Sequence, residues 1–100
     1  MKNQKVQLRD IIESIAKAKG LEILQSLKTP KRWSELREVA KGDNKSLTNR
    51  MNEFIELGLV EPVLLKDSPK GSKAYVLTEF GIFILKKLEE IEKYLELLEK

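Results

Sequence analysis

The stretch from Asn44 to Val60, NKSLTNRMNEFIELGLV, decides how this chain is read. Leu47, Met51, Phe54, Ile55 and Gly58 follow one another at steps of four, three, one and three, along one face of a 3.6-residue helix. The opposite face carries Lys45, Ser46, Asn49, Asn52, Glu53 and Glu56. Charge is uneven along the stretch, with Lys45 and Arg50 in its first half and Glu53 and Glu56 in its second. A helix that enters the major groove of DNA reads bases with its N-terminal residues, so a cationic front and an anionic rear suit that posture. An amphipathic core helix with an ordinary solvated face fits this stretch equally well. The flanking sequence has to decide.

Working upstream, Ser34 is the expected N-cap of a helix over 35–41, with Leu36, Val39 and Ala40 turned inward. The turn Gly42-Asp43-Asn44 follows, and Asp43 can cap the next helix. Helix, tight glycine-containing turn, helix is the unit that lays its second helix across a groove. Lys31-Arg32-Trp33 reads as a short extended strand. Before it, Pro30 stops a helix over 21–27 that presents Leu21, Leu24 and Leu27. The first helix is expected over 6–18, with Leu8, Ile11, Ile12, Ile15 and Ala16 as its apolar stripe and Gly20 as the left-handed residue that ends it.

Working downstream, the period changes after Gly58. Leu59, Val60, Val63, Leu64 and Leu65 suit a strand, which Pro62 confines to an edge or a bulge. The run from Asp67 to Ser72 is dense in turn formers and makes a hairpin tip, and 74–77 returns as the second strand. Thr78 then caps a helix over 79–98. In it Ile84, Leu88, Ile91, Leu95 and Leu98 alternate steps of four and three, the period of a coiled-coil seam. At about 1.5 Å per residue the helix is roughly 30 Å long. A domain this small cannot cover it, so a partner helix is expected.

The 100 residues bound one domain, and the absence of cysteine and histidine removes disulfides, thiolate zinc sites and the commonest general base. No cofactor or metal is expected, nor an enzyme. No apolar run approaches the roughly 18 residues of a membrane span and the start MKNQKVQLRD is polar, so a cytoplasmic protein without a membrane partner is expected. Net charge is +3, and its distribution says more than its size. Residues 28–73 hold ten basic and seven acidic side chains, whereas residues 79–100 hold four and six. A basic middle and an acidic tail fit a central surface that meets phosphate.

Five pieces now stand in order: Arg32-Trp33-Ser34-Glu35-Leu36, Leu47-Thr48-Asn49-Arg50-Met51, Gly58-Leu59-Val60, Pro69, and Tyr75-Val76-Leu77-Thr78 with Gly81. With them the chain, over about residues 21–86, resembles the HxlR family, a branch of the MarR-like winged-helix transcriptional regulators. The resemblance implies a homodimeric winged-helix DNA binder whose terminal helices form the dimer interface, with residues 44–57 as recognition helix and 67–72 as wing. The chain departs from the family pattern in three places. It lacks the N-terminal cysteine of redox-sensing members, it has Glu61 where a basic residue is usual, and it has Trp33 in place of phenylalanine.

The expected architecture is α+β, mainly α: a single winged helix-turn-helix domain over residues 1–100, its core at 21–78 and its dimerisation helices at 6–18 and 79–98. The expected partners are double-stranded DNA and a second copy, with any small-molecule effector unspecified. Lys45, Ser46, Thr48, Asn49 and Arg50 are the candidate base and phosphate readers, since arginine pairs bidentately with guanine and asparagine with adenine. Lys66, Lys70 and Lys73 would reach a minor groove or backbone from the wing, although lysines also keep edge strands from aggregating. Lys31 and Arg32 could anchor a phosphate at a helix N-terminus. Leu8, Ile11, Ile12, Ile15, Ile84, Leu88, Ile91, Leu95 and Leu98 are the candidate dimer contacts. Trp33, Phe54, Tyr75, Phe80 and Phe83 are expected in the core rather than around a ligand. The alternative function is a protein–protein module with a coiled-coil partner, which calls for an exposed apolar patch where the sequence puts polar and cationic residues.

Overall fold

The structure, a computed structural model, describes residues 5–99; residues 1–4 and 100 of the expected domain lie outside them. The elements are α1 (Leu8–Ala16), α2 (Gly20–Ser26), α3 (Trp33–Val39), α4 (Asn44–Glu56), β1 (Val60–Leu65), β2 (Ser72–Leu77) and α5 (Glu79–Leu98). This is the mainly helical α+β arrangement expected, with one antiparallel hairpin as its sheet. Among the described residues no helix is long and apolar enough to cross a membrane.

The core is built around α4. Leu47, Met51 and Phe54 are 0–1% exposed and meet Ile23 and Leu24 of α2, Leu27 at its C-cap, Leu36 of α3 and Leu59 ahead of β1. Burying one such side chain contributes about 1.5–3 kcal/mol, so the rotation of α4 about its axis is strongly fixed. Each end of the core closes by close backbone approach. A Cβ on Gly81 would stand 2.1 Å from the Leu59 carbonyl oxygen, and one on Gly20 would stand 2.3 Å from that of Ile15. Gly20 therefore opens α2 instead of ending α1 as expected. The left-handed residue at that corner is Lys19, with φ of 65°.

Capping corrects a second expectation. Ser34 lies inside the first turn of α3, and Arg32 is its N-cap. The Glu35 carboxylate accepts from the Arg32 amide at 2.7 Å, so the acid three residues on, not the serine, sets where the helix begins. Asp43 and Thr78 do cap as expected. Asp43 accepts from the Ser46 amide at 3.1 Å, and the Thr78 hydroxyl oxygen accepts from the Gly81 amide at 3.0 Å.

The hairpin runs in unbroken register from Val60 opposite Leu77 to Leu65 opposite Ser72, so Pro62 needs no bulge. Its partner Tyr75 turns both backbone groups away, donating to and accepting from Lys31 at 2.9 Å each. Pro62 thus occupies a pair where no N–H is required. The strand expected over 31–33 reduces to this one bridge.

Two aromatic side chains are not core. Phe80 and Phe83 are 42% and 54% exposed, because Gly81 and Leu85, one helical turn apart, are the residues of α5 that face inward. The converse correction concerns Arg50, which is 5% exposed. Its Nε and Nη2 donate to Glu53 Oε1 and Oε2 at 3.2 and 3.1 Å. The same carboxylate accepts from the Ser14 hydroxyl at 2.6 Å and pairs with Lys17 at 3.4 Å, tying α1 to α4. Burial alone would raise the Glu53 pKa. The Ser14 hydroxyl and the Arg50 guanidinium outweigh it and hold the carboxyl below its ordinary value.

Two outcomes are expected. Glu53→Ala leaves Arg50 buried without its partner and should destabilise the fold by about 2 kcal/mol in denaturant titrations at neutral pH. Because the Glu53 pKa is lower folded than unfolded, its stabilisation is present above the unfolded value near ~4.3 and fades as pH falls below it. The gap between wild type and Glu53→Ala should close over that acidic range. Gly81→Ala drives a methyl into the Leu59 carbonyl and should lower stability on the order of 2–3 kcal/mol, whereas a fold unchanged in midpoint would refute this packing.

Candidate nucleic-acid interface

With Leu47, Met51 and Phe54 inward, the helical period turns Lys45, Thr48, Asn49, Asn52 and Glu56 outward, and all five are exposed. The turn before α4 sets this aim. Lys41 and Gly42 adopt φ of 53° and 83°, and Asp43 then fixes the first free amides. Hydrogen bonding from Ser46, by its hydroxyl and then its amide, lowers the Asp43 pKa, so the cap is charged at neutral pH. Ser46 is half-buried and engaged in this cap, which turns it from a reader into a support. Arg50 is a support as well, sequestered by Glu53 on the inner flank. Asn52 takes the outward place expected of it, seven residues on from Lys45 with Asn49 between them.

The hairpin supplies a second cationic surface. Lys66, Lys70 and Lys73 are all exposed, the first two at its tip and the third on β2, and the Lys73 ammonium lies 5.6 Å from the centre of the Tyr75 ring. Lys31 is half-buried; its backbone is bound to Tyr75, and its ammonium donates to the Thr29 hydroxyl at 2.7 Å. Arg32 pairs with Asp67 at the tip. Both residues connect the hairpin to α3, Lys31 through its backbone and Arg32 through its side chain, and the guanidinium of Arg32, paired with Asp67, is not the free cation expected.

The expected dimer residues divide by position. Leu8, Ile12, Ile15, Ile84, Leu88 and Ile91 line a groove of about 720 Å³ between α1 and α5. Ile11 also borders it but is 5% exposed and belongs to the core cluster. Leu95 and Leu98, 53% and 65% exposed, extend the apolar surface along the projecting end of α5. Phe80, Phe83 and Tyr94 widen it beyond the seam read from the heptad spacing. A Phe80–Phe83–Tyr94 flank was hidden in the sequence because Lys87 interrupts it; the Lys87 ammonium lies 5.4 Å from the Phe83 ring centre, so its stem covers part of that flank.

No protein-family model matches this sequence, and no curated protein is similar enough to match. Solved structures do match across nearly the whole chain. Diamide-treated YodB from B. subtilis superposes with a TM-score of 0.73 at 22% identity, covering 95% of each chain. The reduced form of the transcriptional regulator YodB gives 0.72 at 24% identity over 91% of this chain and 90% of that one. A protein of Enterococcus faecalis V583 described as a MarR-family transcriptional regulator gives 0.70 at 22% identity, covering 97% and 92%. At these identities the likeness establishes the fold. The chain has the winged-helix architecture of these regulators, with α3 and α4 as the helix-turn-helix and β1–β2 as the wing.

Proposed function

We propose that the chain is a homodimeric, sequence-specific DNA-binding transcriptional regulator of the HxlR type, acting in the cytoplasm without a cofactor. The observation that carries this reading is the outward row of α4, where Lys45, Thr48, Asn49 and Asn52 stand exposed and free of partners among the described residues, together with the exposed lysines of the hairpin. Asn49 and Asn52 suit adenine edges, Thr48 tolerates several bases, and Lys45 suits a phosphate. The apolar faces of α1 and α5 would bring two copies together and set their recognition helices about one DNA turn apart, roughly 34 Å. A rigid pair adds the binding of two short helices while losing overall rotational freedom only once. The polar, cationic character of this outward row weighs against the protein–protein alternative, which needs an apolar patch there.

The reading is tested by anisotropy titrations against duplexes selected from a random pool. Four lysines per copy make about eight phosphate contacts per dimer, so affinity should fall on the order of 10³–10⁵-fold between 50 and 200 mM salt. Salt-independent binding would sink it. Asn49→Ala should relax preference at one base pair of each half-site by about 1–3 kcal/mol, whereas Lys70→Ala should weaken all sequences alike and reduce the dimer's salt slope by about two, one contact per copy.

Association is tested separately. Leu95→Glu places a charge on an exposed apolar site, so each copy should keep its helical content. Sedimentation should then report single copies, and duplex affinity should drop roughly a hundredfold as the second helix is lost. A variant that stays paired would place the interface elsewhere.

A further inference from the structure

The hairpin tip carries one carboxylate, Asp67, among Lys66, Lys70 and Lys73. On a surface that meets phosphate, a negative charge opposes binding directly. The structure gives this carboxylate two partners. It pairs with the Arg32 guanidinium, and its Oδ1 accepts from the Ser72 hydroxyl at 2.9 Å. Arg32 is itself immobilised as the N-cap of α3, its amide held by Glu35. On one side of it, Lys31 exchanges both backbone hydrogen bonds with Tyr75. On the other, Trp33 packs edge-on to the Tyr75 ring at 5.9 Å. The middle of the hairpin is therefore fastened to the start of α3, while the tip beyond Leu65 and Ser72 is held to it by Arg32 and Asp67. Both side chains are about two-fifths exposed, 40% and 42%. Such a pair adds little to stability, so its consequence is direction.

We propose that Arg32 and Asp67 are positioning residues for the wing: their ion pair straps the tip to α3 and so presents Lys66 and Lys70 to the duplex backbone. This rests on the DNA-binding reading above and goes beyond it, since it assigns a favourable role to an acidic residue in the interface and makes Arg32 a strap rather than a phosphate ligand.

The test compares Asp67→Asn, Arg32→Gln and the double variant in the full chain, with the selected duplex as probe. Simple electrostatics demands that Asp67→Asn, one charge more positive, bind DNA more tightly and with a steeper salt dependence. The strap demands the opposite: binding roughly threefold to tenfold weaker, and a salt slope smaller by about two for the dimer as one wing lysine in each copy loses its phosphate. Arg32→Gln should weaken binding similarly, and the double variant no further, because both remove one interaction. Tighter binding by Asp67→Asn, additive losses, or no change in either single variant would each overturn the strap. Exchange of the Gly71 amide, which donates to Ser68 across the tip, should quicken in both single variants of the free protein. Unchanged exchange would overturn the proposal whether or not the wild type binds DNA, and a wild type with this amide protected but no salt-dependent binding would instead sink the functional reading.

Discussion

The register of α4 in the core is the constraint from which the rest follows. Leu47, Met51 and Phe54 leave the helix no freedom to rotate, since a shift of one residue swings each side chain by about 100° and would bury Thr48 and Asn52 in place of Leu47 and Met51. Arg50 sharpens the constraint. A guanidinium at 5% exposure is tolerable only with a partner, and Glu53 can serve because a three-residue step sets the two side chains side by side. Ser14 then completes the carboxylate's hydrogen bonding from α1. The inner flank of α4 thereby dictates which residues face out, and the outward row inherits a rigidity it could not have on an isolated helix.

Most of this architecture was legible because it rests on period and punctuation. Leu47, Met51 and Phe54 of the stripe in α4 (its Ile55 and Gly58 prove exposed), the caps at Asp43 and Thr78 and the turn formers between β1 and β2 are local, and local chemistry fixes them. What was not legible required a partner from elsewhere in the chain. Arg50 was assigned outward by its charge, yet it lies 40° from Phe54 on a helical projection, close enough to follow it inward once Glu53 and Ser14 converge. Phe80 and Phe83 were assigned inward by residue type, whereas Gly81 decides the matter: only a residue without a side chain can pass the Leu59 carbonyl, and its neighbours are turned away accordingly. Arg32 was read as a free cation because nothing local says that Asp67, 35 positions later, returns beside it.

The same division separates the two proposed surfaces. On α1 and α5 the exposed groups are apolar and the driving force is area removed from water, which is indifferent to moderate salt. On α4 and the wing they are cationic and amide groups, whose attraction to a duplex is long-ranged and salt-dependent. On the proposed reading, the acidic excess of 79–100 would keep the first surface from competing for phosphate. A modest net charge of +3 is then no obstacle, because the basic excess lies in the middle of the chain and the acidic excess in its tail.

The two ion pairs that brace the cationic surface are not equivalent, and the difference has a mechanical consequence. Arg50 and Glu53 have side chains 7% and 30% exposed, so salt screens them weakly and α4 keeps its aim over a wide range of conditions. Arg32 and Asp67 sit in solvent, where salt and approaching phosphates compete with the pair. α4 is thus held by a contact that the surroundings barely reach, and the hairpin tip by one that they can loosen. On the DNA-binding reading proposed above, the stiff element would read bases and the compliant one would fit the backbone, which is the order that direct readout requires: the side chains that discriminate must be placed to within a hydrogen bond, while a lysine at a phosphate needs only to arrive.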